Sequence, residues 1–547
     1  MPKAIELLRE GKTEELWQKC CGFTDLRMDE FMTIQQRLLL EQLELLKGCE
    51  LGRRLLRRAS PRNIKEFQEQ VPLTTYENYA PYLLERREDA LPEKPIAWQR
   101  TSGRSGEYPC KWVPLSKRMY RELGDSMLAV MIFCTCKGRG NIALREHDKV
   151  IYALAPRPYT SGVWALRAEE VFPFDFLPPL VEAEKMSFQE RVEKGFKLAL
   201  SEGLDMFFGL SSVLVAVGRQ FGQGAGTKNI PSLLTKPKIL LKLVKALVKS
   251  KLARRPMLPK DIWPLKGVVA MGTDSSIYRE QVKKMWGCTP LDVYGFTESN
   301  IIAMQTWDFR GMTFVPHVNL LEFIPEREYL KWKADRYYQP EILLLDEVKA
   351  GENYVIVVTN FLGGPFVRYV CGDMVRITSL RNEELNIDIP QMVFESRIDD
   401  IIDLAGFTRL TEKTIWQAIE ETGLDYQDWT IRKEAREKPV LHLYLELRDR
   451  NSLNKAQVTA AVDEQLRKLD KDYASLEDML KLHPLEVTLL PSGSFREYML
   501  RQQQAGADLA HLKLPHMNPS DRMLNILLKR APAPTPAAPP TEKVAIR

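Results

Sequence analysis

No Cys-x-x-Cys pair occurs anywhere in the chain, although it carries eight cysteines, Cys20, Cys21, Cys49, Cys110, Cys134, Cys136, Cys288 and Cys371. The nearest approach to one is "CTC" at Cys134, an apolar stretch with no histidine beside it, so a structural zinc site is not expected. Free thiols in a reducing compartment are the simplest reading. No run reaches the roughly 18 apolar residues of a membrane span. The strongest candidate, "MFFGLSSVLVAVG", is too short and follows Asp205. The amino-terminal "MPKAIELLREGKTEELW" lacks the apolar centre of a signal peptide, and a cytoplasmic location is expected. There is no strong charge of one sign: 78 basic against 73 acidic side chains leave +5, which argues against nucleic acid as the main partner. No internal repeat is visible.

What is present suits a globular protein of two or three packed units. Of the 547 residues, 44% are hydrophobic and 28% charged, enough to bury a sizeable core. Residues 1–90 read as helices, including the leucine-rich "FMTIQQRLLLEQLELLKGCELGRRLLRR" and a cap signal, "LTT", that predicts a new helix near Tyr76. "KVIYALA" at 149–155 reads as a strand entering a loop. From 265 the pattern alternates: "LKGVVAMG" as strand, "SSIYREQVKKMWG" as helix, "LDVYGFTESN" as strand into loop. That predicts an α/β sheet, with "YVIVVTNF" and "RYVCGDMVRI" as antiparallel additions. After "ESRIDDIIDLAGFTRL" a smaller α+β pattern follows. The expected organisation is a large unit over 1–396, a small one over 397–530, and a disordered Pro/Ala-rich tail over 531–547.

"PKILLKLVKALVKSKLARRP", residues 237–256, is a basic amphipathic helix. It fits a helix lying on a membrane surface and also a core-packed helix with a solvated lysine face.

Four short stretches suggest nucleotide chemistry when read together. "TSGRSGEYPCKWVP" places Thr101, Ser102, Gly103, Arg104, Ser105, Gly106 and Lys111 in a Ser/Gly loop between ordered segments, able to wrap phosphates with backbone N–H groups. "VYGFTES" places Tyr294, Gly295, Phe296, Thr297 and Glu298 at a strand end, where ligands of α/β folds bind. There Tyr294 offers a face for adenine, Thr297 a hydroxyl and backbone donor for the α-phosphate, and Glu298 a hard oxygen for Mg²⁺. "RYVCGD" ends in Asp373, an acceptor for ribose hydroxyls. "SRIDD" places Arg397 at the junction of the two units. Taken singly, each stretch also has an ordinary structural explanation, such as a strand-end aromatic, a solvated charge, a turn former or a surface ion pair.

In that order, the stretches resemble the adenylate-forming superfamily of acyl-CoA ligases, luciferases and peptide synthetases. Within it, the chain is most similar to the Gretchen Hagen family of acyl-acid amido synthetases. "VPLTTYENYAPYL", the Ser/Gly loop, the Tyr-x-x-x-Glu of "VYGFTES", "RYVCGD", "LARRPMLPKDIWPLKGVV" and "HLKLPH" carry the likeness along most of the chain. Three departures stand out. Arg104 replaces a usual threonine, Val370 stands where the family has arginine (Arg368 lies two residues earlier), and "GTDSS" at 272–276 only loosely matches the adenine loop.

The resemblance implies a large adenylation domain with a small mobile lid. It also implies ATP and Mg²⁺ as cofactors, a carboxylic acid and an amine, namely an amino acid, as substrates, and Lys513 of "HLKLPH" as the lid's catalytic lysine beside Glu298 and Thr297. The acyl pocket is expected to draw on "PYTSGVW" and "FFGLSSV". Thioester formation with coenzyme A and a catalytically lapsed membrane-surface or scaffold member of the fold are the alternatives it leaves open.

Overall fold

The computed structural model describes residues 4–101, 111–222, 237–271, 275–335, 337–404, 408–434, 440–448, 454–480, 484–504 and 514–529. The expected tail, the loop residues Ser102–Gly106 and Lys513 lie outside them. The chain divides into two compact units, one formed by Met1–Asp399 and the other by Asp400–Ala507 with the segment from Leu514 onward.

The strands of the first unit, in chain order, are β1 Ala97–Arg100, β2 Trp112–Leu115, β3 Lys149–Ala153, β4 Asp175–Leu177, β5 Met206–Gly209, β6 Gly267–Ala270, β7 Pro290–Phe296, β8 Asn300–Gln305, β9 Met312–Phe314, β10 Asn319–Pro325, β11 Leu343–Leu344, β12 Asn353–Asn360, β13 Tyr369–Ser379 and β14 Gln391–Arg397. β1 and β2 form a hairpin, and the others make one sheet in the order β11-β10-β12-β13-β14-β9-β8-β7-β6-β5-β3-β4. From β4 to β7 the pairing is parallel, and from β7 onward it is antiparallel. β7 is therefore the seam. The central parallel strands β5 and β6 are short and wholly apolar, as strands covered on both faces must be. They bury against the helix Lys117–Thr135, whose start is capped by Ser116 Oγ accepting from Met119 N at 3.0 Å.

The N-terminal helices brace the antiparallel half. Two buried glutamines on the helix Met28–Lys47 act as clips. Gln35 donates to the carbonyls of Pro316 and Asn319, both at 2.7 Å, and Gln42 donates to Gly364 O at 2.8 Å. The long helical run of the sequence breaks after Lys47 and resumes at Glu50. A Cβ on Gly52 would meet Leu46 O at 2.0 Å, so only glycine permits that corner.

The "LTT" signal starts helical structure at Tyr76, as two short turns rather than a long helix. Thr74 bridges to Tyr369 of β13 in parallel, Thr75 with Asn78 forms a capping box on the turn Tyr76–Asn78, and the short helix Ala80–Leu83 follows.

The second unit contains β15 Ile402–Leu404, β16 Thr408–Leu410, β17 Tyr426–Glu434, β18 Val440–Leu447 and β19 Leu485–Leu489. β17-β18-β19 form a three-stranded sheet covered by the helices Glu412–Glu421 and Lys455–Leu469. That is the expected α+β pattern. Residues 515–518 continue it: Ile431 N donates to His516 O at 2.7 Å, and Asn518 N to Ile431 O at 2.8 Å.

Candidate active site

Because β3, β5, β6 and β7 are parallel, the segments after them share one edge of the sheet. Ligands of such sheets bind beyond the carboxyl ends, where strand direction or order switches. Here that point is the turn after β7, which holds Thr297 and Glu298. A Cβ on Gly295 would meet Asn300 O at 2.1 Å, so the β7–β8 turn closes this tightly only with glycine. Asn360 donates to Glu298 O at 3.0 Å and Asn319 donates to Ser299 O at 2.9 Å, so both carbonyls of the turn are held by buried amides.

Glu298 is only 7% exposed. Its Oε1 accepts from Tyr369 OH at 2.9 Å, and Lys111 Nζ lies 3.5 Å away. Lys111 also reaches Tyr369 OH at 3.3 Å and sits 4.9 Å above the ring of Tyr76. The β1–β2 hairpin delivers this lysine. Thr101 N donates to Lys111 O and Lys111 N to Thr101 Oγ1, both at 3.0 Å, so the stem of the Ser/Gly loop is closed where the described chain resumes.

A second group lies on β7, β13 and β14. Tyr294 OH donates to Asp373 Oδ2 at 3.0 Å, and Arg397 Nε lies 3.2 Å from Asp373 Oδ1, the two residues being direct cross-strand partners on β13 and β14. Gly372, at φ +83°, supplies the left-handed step just before Asp373. Tyr294 is 6% exposed and stacks on Phe394 at 5.8 Å between centroids. Burial first, and the neighbouring carboxylate second, hold both phenols well above their ordinary pKa, Tyr369 beside Glu298 and Tyr294 beside Asp373. Both stay protonated and act as donors that orient a carboxylate.

Among the described site residues, the structure thus joins Thr101, Lys111 and Glu298 in one cluster, and Tyr294, Asp373 and Arg397 in another. Gly295, Phe296 and Thr297 form the connecting strand end and turn. Ser102, Gly103, Arg104, Ser105, Gly106 and Lys513 lie outside the described residues. Tyr369 and Tyr76 are functional candidates the sequence reading did not single out. Their only signal was membership of "RYVCGD" and "LTTYENY". Arg368 does not fill the place left by Val370. It is buried, donates from Nε to Glu322 at 3.1 and 3.3 Å, and donates from Nη1 to the carbonyls of Gln68 and Val71 at 2.6 and 2.5 Å.

Several buried polar atoms have no hydrogen-bond partner among the described residues. They include Gln99 Nε2 and Oε1 on β1, Thr160 Oγ1 in the segment after β3 and Ser211 Oγ after β5. Native interiors rarely leave such groups unpaired, and a polar ligand would satisfy them. Thr160 and Ser211 fall within the two stretches expected to line an acyl pocket.

This arrangement is the architecture of adenylate-forming enzymes. The structure titled "AtGH3.15 acyl acid amido synthetase in complex with 2,4-DB" covers 92% of this chain and 94% of its own, with a TM-score of 0.65 at 17% identity. A 2-hydroxyisobutyryl-CoA ligase in the postadenylation state covers 88% and 94%, with a TM-score of 0.57 at 14% identity. At these identities the likeness is one of fold. Residues 23–158 match the GH3 family N-terminal domain, 312–397 its central domain and 410–522 its C-terminal domain. The chain belongs to the GH3 family.

Among named relatives, a jasmonoyl–L-amino acid synthetase, GH3.5, of Oryza sativa subsp. japonica is 25% identical over 290 residues, covering 49% of this chain and 48% of the rice protein. A 4-substituted benzoates–glutamate ligase, GH3.12, of Arabidopsis thaliana is 26% identical over 234 residues, covering 39% and 38%. The matched stretches thus span about half the length of these relatives or less.

Proposed function

We propose that the protein activates a carboxylic acid with ATP as an acyl-adenylate and transfers the acyl group to an amine, most naturally an amino acid. The observation that carries this reading is the Lys111–Tyr369–Glu298 cluster at the seam of the sheet, beside the stem of a Ser/Gly loop. In the first step a substrate carboxylate oxygen attacks the α-phosphorus of ATP and pyrophosphate leaves. In the second, the amine attacks the acyl carbonyl, AMP leaves with the bonding pair, and the nitrogen loses a proton.

Each residue has a chemical task in this scheme. Lys111 places a cation where negative charge builds on the phosphates. Tyr369 holds Glu298 in one orientation. Asp373, oriented by Tyr294 and Arg397, presents a carboxylate to the ribose hydroxyls. Glu298 Oε2 has no hydrogen bond to a described residue, leaving one carboxylate oxygen for a magnesium ion. No group of three metal-ligating side chains occurs among the described residues. A single carboxylate with ATP phosphates and water completing the shell is how magnesium is usually held. Bound there, it would offset charge on the phosphates. Lys513, carried by "HLKLPH", is assigned to the adenylation half-reaction on the family resemblance.

Free thiols at the described cysteines fit a reducing cytoplasm. No described helix is long and apolar enough to cross a membrane.

The test is ATP–pyrophosphate exchange over a panel of aromatic, fatty and keto acids, followed by amino acids added as traps and detection of the amide. Exchange with no acid in the panel, from protein that binds ATP, would reject acyl activation. Thioester without amide when coenzyme A is offered would move the protein to the acid–thiol ligases.

A further inference from the structure

The helix Pro237–Leu252 buries one narrow face and exposes a broad apolar one. Ile239, Leu243, Ala246 and Ser250 are the buried positions. Leu240, Leu241, Val244, Leu247, Val248 and Leu252 point to solvent, from 44% to 80% exposed. At 3.6 residues per turn these six cover about 140° of the helix circumference, running on from the edge of the buried face. Exposed aliphatic side chains are ordinary when scattered, but six on one continuous stripe are not.

The charges around the stripe are of one sign. Between residues 237 and 256 there are five lysines and two arginines and no acidic residue. Lys242, Lys245 and Lys249 line one flank of the stripe, and Lys251 rises within it. Lys245 and Lys251 make no ion pair with a described residue. Lys249 lies 3.9 Å from Asp261, whose carboxylate is already held by Arg255 at 2.7 and 2.8 Å.

We propose that this helix docks the protein on an anionic lipid bilayer, with its apolar stripe in the headgroup–acyl boundary and its lysines among lipid phosphates. The chemistry fits on three counts. The stripe lies on a convex helix, so it suits a deformable surface better than a preformed protein groove. It contains only aliphatic side chains, with none of the aromatic anchors that concentrate binding energy at protein interfaces. The lysine stems are long enough to keep the ammonium groups at phosphate level while the helix sinks in. The helix lies outside the nucleotide site, so this inference stands whether or not the acyl-activation reading does.

The experiment uses the full chain and vesicles of phosphatidylcholine, alone or with about 30% phosphatidylglycerol. Flotation at low salt is expected to carry the protein with the anionic vesicles and leave it behind with phosphatidylcholine alone. Leu241→Glu with Val248→Glu, at positions already in water, should leave the thermal melt unchanged and weaken partitioning by at least about tenfold. Lys245→Glu with Lys251→Glu should do the same through charge. In Leu247→Trp, tryptophan emission should shift to the blue on adding anionic vesicles. No flotation with anionic vesicles overturns the proposal, as does flotation that either double variant leaves intact. A dimer in solution that Leu241→Glu with Val248→Glu converts to monomer, without vesicle binding, assigns the stripe to a second copy of the chain and also overturns it.

Discussion

Tyr369 donates its hydroxyl to Glu298 at 2.9 Å from a strand that is not the neighbour of the one carrying Glu298. β13 and β7 are separated in the sheet by β14, β9 and β8. The antiparallel half must therefore curl until the ends of β7 and β13 face each other, and the Tyr294–Asp373 hydrogen bond repeats the same closure a few residues away. The two carboxylates assigned to nucleotide chemistry are each aimed by a phenol from the opposite strand.

Tyr369→Phe tests that aiming role. It removes one buried hydrogen bond to a carboxylate and one contact to Lys111 while keeping the ring. The expected cost is about 1.5–2 kcal/mol in kcat/KM for ATP, roughly a tenfold or somewhat larger drop. Magnesium–ATP titrations of pyrophosphate exchange measure it. An unchanged kcat/KM would remove Tyr369 from the site.

Glu298→Gln keeps the shape and the acceptor for Tyr369 but loses the charge. Adenylation is expected to fall by orders of magnitude with a near-normal melting temperature. Near-normal pyrophosphate exchange would sink the assignment of Glu298.

Glu322→Ala is the structural counterpart. Glu322 is fully buried and paired with Arg368, so its loss strands a buried guanidinium. Destabilisation of about 3–5 kcal/mol is expected, read by denaturant unfolding. Activity should fall only as the folded fraction falls, unlike Glu298→Gln.

His516 links stability of the small unit to pH. Burial alone would lower its pKa, but hydrogen bonds to Asp428 at 2.9 Å and Glu412 at 2.7 Å outweigh that and raise it to about 9. The ring stacks on Trp429 at 4.4 Å. A histidine whose folded pKa is raised contributes its full stabilisation below the unfolded value near 6.5, and loses it as pH rises to about 9. Wild-type unfolding free energy should therefore decline across that window, by on the order of 3 kcal/mol. In His516→Gln the decline should vanish. Melts of the two proteins that run parallel from pH 6 to 10 would show that the imidazole is not held charged.

Lys513→Ala should lower acyl-adenylate formation by on the order of a hundredfold or more, if the lysine is one transition-state donor. Release of amide from a supplied synthetic acyl-adenylate should change little. Equal damage to both half-reactions would show that Lys513 is not the adenylation lysine.

Much of the molecule was legible in the chain. Strand and helix types follow from periodicity, and the α+β pattern of the small unit could be read element by element from "TEKTIWQAIEETG" to "LEVTLLP". Glu298 and Asp373 were visible because each sits in a short glycine-containing motif, Glu298 in the turn after β7 and Asp373 within β13 just after Gly372. The cap in "LTT" is legible because a cap signal is local, whereas Thr74's bridge is not, its partner Tyr369 being almost three hundred residues away.

Sequence by itself determined which segments form strands and helices, and which of them end in residues suited to phosphate and metal chemistry, because those properties depend on neighbours a few positions apart. Tertiary structure alone decided which side chains meet. Lys111 reaches Glu298 across 187 positions, a pairing that depends on how the β1–β2 hairpin lies over the edge of the sheet. Arg368, at φ +45° just before β13, turns to Glu322, whereas Tyr369, the first residue of β13, turns to Glu298, a parting that only the backbone of the folded chain fixes. The helix Pro237–Leu252 makes the same point from outside. Its composition fitted a core helix and a membrane-surface helix alike, and packing buries Ile239, Leu243 and Ala246 while leaving a second apolar stripe exposed. A 3.6-residue period fixes the relative angle of two stripes on one helix, but only the contacts of the folded chain choose which of them is covered.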